Sequence, residues 1–132
     1  MTHTTVYHTD AHEEDETNII SRHALFMKLR AYSAGVSDWD VAVYRDTVPV
    51  LRLRSAILSN LVEKYGATFG DATIEVILLG FTQKEGVSIG EISVYIDWES
   101  VQYIEIIAPP NGQLTIIFQL GINESVTLVG II

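Results

Sequence analysis

The chain has 132 residues, no cysteine, and a formal net charge of −9 with a pI near 4.7. That length allows one domain with a real core and makes a second domain improbable. The lack of cysteine excludes disulfides, thiolate metal sites and a cysteine nucleophile and fits a reducing interior, while the acidic balance disfavours binding to phosphate backbones.

Residues 1–17 (MTHTTVYHTDAHEEDET) carry five acids and no base. They hold too little apolar surface to offset the entropy of ordering, so the expectation is a flexible acidic tail, 1–17, ahead of a single domain, 18–132. This segment has neither a basic n-region nor an apolar h-region, and no stretch approaches the roughly 20 apolar residues of a membrane span. The expected location is cytoplasmic or within a virus-like particle. His8, Asp10 and His12 place two imidazoles four residues apart with a carboxylate between them. Were this tail helical, the pair would share a face, as transition-metal ligands do. The plainer reading is a solvated polar segment, because structural zinc requires four ligands on a fixed frame. No cofactor is expected.

From Thr17 as N-cap, NIISRHALFMKLRAYSA reads as a helix closed by Gly35. Ile20, Ala24, Met27 and Ala31 form one row, and Leu25, Leu29 and Tyr32 a second. Trp39, Val41 and Val43 then alternate with Asp38, Asp40 and Ala42, the period of a half-buried strand. With Thr47 as N-cap and Pro49 in the first turn, a second helix is expected through Tyr65, ended by Gly66, although the alternation Leu51-Arg52-Leu53-Arg54 also permits a strand over residues 48–54. Residues 18–66 carry seven bases and four acids, a local excess that balances the acids on either side.

Beyond Gly70 the pattern is all β. Strands are expected over residues 72–82, 87–98, 101–107, 113–120 and 125–131, with turns at 83–86 and at Pro109-Pro110-Asn111-Gly112. Between residues 106 and 132 the only charge is Glu124. Both faces of the last two strands are therefore largely apolar, and such a surface calls for cover by helices or by another chain.

These elements predict an α+β fold, two helices packed on a mostly antiparallel, curved β-sheet as a sandwich or roll. The order of elements is loosely similar to nuclear-transport-factor-2-like rolls, without any residue motif of that family. No catalytic motif stands at recognisable spacing. The carboxylates Glu75, Glu91, Asp97, Glu99 and Glu105 read as solubilising groups on wet strand faces. The leading functional expectation is a non-enzymatic protein–protein interaction or assembly module, a homo-oligomer joined through Ile117, Val129, Ile131 and Ile132. The alternative is a small-ligand-binding or lyase-like protein with a pocket lined by Trp39, Tyr44, Tyr95 and Tyr103. A third reading, from net charge alone, is an acidic mimic of nucleic acid.

Overall fold

Alternation of apolar and polar residues is expressed as β-structure over most of the described residues. The computed structural model describes residues 3–9, 18–69, 72–83, 91–108 and 112–131. The strands are β1 (His3–Tyr7), β2 (Asp38–Arg45), β3 (Val48–Phe69), β4 (Ala72–Gln83), β5 (Glu91–Asp97), β6 (Val101–Ala108), β7 (Gln113–Leu120) and β8 (Glu124–Ile131). One α-helix, α1 (Arg22–Ala34), and one 3-10 turn (Trp98–Ser100) complete the described elements. The strands form a single antiparallel sheet in the order β1-β6-β7-β8-β2-β3-β4-β5.

This architecture corrects the expectation of two helices on a sheet. Residues 48–65 belong to β3, and Thr47 is not a helix cap. Asp46 and Thr47 both adopt left-handed backbone conformations (φ 52° and 67°) between the paired residues Arg45 and Val48. That is the two-residue hairpin geometry whose twist matches the flanking strands. The Leu51–Arg54 alternation is the signal that prevails, because pairing with β2 on one side and β4 on the other satisfies this backbone from both sides in turn.

The expected flexible tail is also corrected in part. His3–Tyr7 is an edge strand on β6, and His8 extends it by one bridge: its N–H donates to the Asn18 carbonyl at 2.8 Å and its carbonyl accepts from Ile20 at 3.0 Å. Helix α1 starts later than expected, at N-cap Ser21, whose hydroxyl accepts from the Ala24 N–H at 3.1 Å; it ends at Gly35.

Two features curl the sheet. First, β3 changes partner near Ser55, with its earlier part on β2 and its later part on β4. Ser55 has a left-handed φ of 53°, the β2–β3 register shifts beside it, and Asp40 Oδ1 accepts its N–H at 2.9 Å. Such a bulge bends a strand and lets it pass from one sheet layer to another. Second, β5 and β6 stand six places apart in the sheet yet are joined only by Trp98–Ser100. A flat sheet would separate them by about 29 Å, whereas that link spans at most about 14 Å. The sheet must therefore roll until its two ends approach.

The roll encloses one core. Trp39 and Val41 of β2, Leu53 and Ala56 of β3, and Ile77, Leu79 and Phe81 of β4 meet Leu114, Ile116, Phe118, Val126 and Leu128 of β7 and β8. Leu25 and Leu29 of α1 point into the same core, with Ile20 just before the helix, while Met27 is exposed. The second of the two expected helix rows is thus the buried one. Lys28 Nζ lies 5.7 Å from the Tyr7 ring centroid, tying α1 to β1. Among the described residues no helix is long and apolar enough to cross a membrane.

At Gly130 a Cβ would sit 2.8 Å from Val36 Cγ1 and 3.0 Å from Trp39 Cζ3. Gly130→Val is expected to cost about 1–3 kcal/mol through overpacking. Urea unfolding should show a lower midpoint with an unchanged slope; an unchanged midpoint would contradict this packing.

Candidate functional site

Alternation and register place a continuous row of side chains on the outer face of the roll. Across the strands the row runs Val6, Glu105, Ile117, Thr127, Ala42, Arg52, each directly opposite the next. A neighbouring row runs Thr4, Ile107, Thr115, Val129, Asp40, and another Tyr103, Gln119, Ser125, Tyr44, Pro49. The outward positions of β7 and β8 are Gln113, Thr115, Ile117, Gln119, Ser125, Thr127, Val129 and Ile131, and none is charged. Five of the eight are uncharged polar residues and three, Ile117, Val129 and Ile131, are apolar; what sets the face apart is its lack of charge, the composition of interface cores rather than of open surface.

The face is not smooth. Ala42 is small and is flanked by Tyr44, Arg52, Arg54, Thr127 and Val129, leaving a hollow of about 230 Å³. The Arg52 guanidinium is held at its rim by the Tyr44 hydroxyl, 3.3 Å away.

Of the expected interface residues, Ile117 and Val129 lie half-buried on this face, and Ile131 is exposed at its margin. Ile132 lies outside the described residues. The four aromatic residues expected to line one pocket are not brought together. Trp39 is 3% exposed within the core. Tyr44 and Tyr103 occupy one outward row of the sheet, on β2 and β6, and Tyr95 stands 44% exposed on β5. Trp39 sits on the opposite side of β2 from Tyr44 because residues of opposite parity on one strand point to opposite faces. Of the expected metal ligands, His8 lies at the end of β1, while Asp10 and His12 lie outside the described residues. Among the described residues, no group of three or more His, Asp or Glu side chains is placed to hold a metal ion.

A second feature, at the start of α1, was not read from the sequence. Arg22 is buried and its guanidinium lies 3.0 Å from Glu75 and 3.6 Å from Glu63. His23 Nδ1 is 3.0 and 3.2 Å from the two Glu63 oxygens. The Glu63 side chain is only 7% exposed, because it projects from β3 on the same side as its pairing neighbour Ile77, toward the core. A carboxylate only accepts, so a neutral His23 donates Nδ1–H to Glu63 and keeps its lone pair on Nε2. Ile19, Ile20, Ser21, Arg22, His23, Glu75 and Trp98 line a cleft of about 440 Å³ here. Strand parity in the sequence does not mark Glu63 as inward, because the inward side of β3 changes parity at the irregularities near Ser55 and Ser59: Leu53 faces the core, then Ala56 and Leu58, then Leu61.

The sheet roll with its helix and these two concavities define a small antiparallel β protein. No protein-family model matches the chain, and no curated protein or solved structure matches it.

The arrangement at Arg22 carries a stability consequence. Glu63→Ala takes a nearly buried carboxylate away from the buried Arg22 guanidinium, and removal of one partner from a buried pair costs about 3–5 kcal/mol. Glu75→Gln should cost less than about 1 kcal/mol, as exposed pairs do. Thermal and urea unfolding of both variants test this ordering, and equal losses would refute it.

Proposed function

We propose that the protein is a non-enzymatic assembly module that associates with other copies of itself through the outer face of β6, β7, β8 and β2. The observation that carries this reading is the uncharged outward surface of β7 and β8 on a chain with a net charge of −9. On these two strands the outward positions carry none of that charge, and an uncharged sheet face with isoleucine and valine near its centre is the kind that partners cover. Ile117 and Val129 lie near its centre and Ile131 at its edge.

Lysine on this face desolvates badly in a contact but is harmless in a monomer. Ile117→Lys and Val129→Lys are therefore expected to lower the solution mass to that of a single chain while leaving the circular dichroism spectrum unchanged. Sedimentation equilibrium measures this. Retention of the wild-type assembly in both variants would remove the reading.

One observation favours a second reading, a small-ligand site in the cleft at the start of α1. His23 there is oriented by a buried carboxylate, and Trp98 supplies an apolar wall. A ligand of that cleft should raise the melting temperature of the wild type and fail to do so with His23→Ala. A library of small amines and acids in which no member shifts the wild type would count against it.

A further inference from the structure

The outer face has a polarity that favours one particular way for two copies to meet. Along the row Glu105, Ile117, Thr127, Ala42, Arg52 the acid stands at one end, the base at the other, and β8 in the middle. A two-fold axis lying between two facing sheets, parallel to the strands and running along β8, superposes β6 on β3 and β7 on β2. An axis perpendicular to the strands superposes each strand on itself, setting Glu105 against Glu105 and Arg52 against Arg52, a juxtaposition of like charges that interfaces avoid.

Resting on the assembly reading above, we infer that a second copy of this chain covers the face about the first of these axes. Ile117 of each copy enters the hollow over Ala42 of the other, and Glu105 of each faces Arg52 of the other. Shape and charge agree independently. The residue that the axis carries over Ala42 is Ile117, a side chain that protrudes from its strand, and the place it meets is the hollow of about 230 Å³. On the axis itself Thr127 meets Thr127 and Val129 meets Val129, small side chains that allow the two sheets to approach. The contact is isologous, so each favourable pair occurs twice. Four inter-strand intervals by a strand of eight residues give about 500 Å² per copy, or about 1,000 Å² in total, at the lower end of specific interfaces. A reversible dimer with a dissociation constant in the micromolar range is expected.

The test is a charge exchange read by sedimentation equilibrium on the full chain. Glu105→Arg alone and Arg52→Glu alone each set like charges together twice and should weaken the dimer at least tenfold. The double variant E105R/R52E restores opposite charges in exchanged positions and should return the dissociation constant to within about threefold of wild type. If neither single variant weakens the dimer, or the double variant does not recover it, while Ile117→Lys still abolishes it, the face is right and this register is overturned. If Ile117→Lys leaves the dimer intact, the assembly face itself is wrong. A wild type that stays monomeric to millimolar concentration overturns both, and a different protein would then be the occupant to seek.

Discussion

The rest of this structure depends on the three-residue link between β5 and β6. These strands stand near opposite ends of one sheet, and so short a tether admits only a rolled sheet. Rolling separates an inside from an outside for every strand. The bulge at Ser55 makes the bend at an affordable place: Asp40 accepts the Ser55 N–H, so a left-handed residue is held without an orphaned donor. The Gly121 N–H reaches back to the Ser100 carbonyl at 2.8 Å, joining the β7–β8 turn to the link itself.

Closure explains why α1 carries a buried arginine. The helix bridges β1, where Lys28 lies by Tyr7, and the β3–β4 pair, where Arg22 meets Glu63 and Glu75. An all-apolar contact would seat α1 with little preference for its position along its axis. A buried charge that finds its carboxylates in one place discriminates between positions, at a desolvation cost that a well-packed apolar contact would not incur. The same pairing leaves His23 outside the core but tied to it through Glu63.

Closure also explains the outer face. Once β4 has Ile77, Leu79 and Phe81 inside, and β7 and β8 their alternate leucine, isoleucine, phenylalanine and valine residues, the core is complete. Ile117, Val129 and Ile131, on the outward side of β7 and β8, have no inner role left to fill. Threonine, valine and isoleucine on that face favour the extended backbone, but propensity alone does not require isoleucine at 117 and valine at 129 where threonine would serve. The small residues Ala42 and Thr127 open a hollow where larger ones would have filled it, and the charges stand at the margins of the row.

The alternation of residues 91–97, 113–120 and 125–131 by itself determined those strands and which of their side chains are buried, since a period of two follows from the pleat alone. The helix ending at Gly35 and the strand around Trp39 were legible for the same local reason. Residues 48–65 were not. Their apolar spacing satisfies a helix and a strand alike, and the choice fell to pairing with β2 and β4, the neighbouring segments on either side, which the spacing within residues 48–65 does not contain. His3–Tyr7 was likewise decided by β6, a hundred residues away, because an edge strand draws its hydrogen bonds from a neighbour rather than from its own composition. The uncharged outward face of β7 and β8 was written in the sequence, but the row that runs from Glu105 to Arg52, and the meeting of Arg22 and His23 with Glu63, exist only in the folded chain. Strand register and sheet closure set those distances, and neither is a property of any single segment.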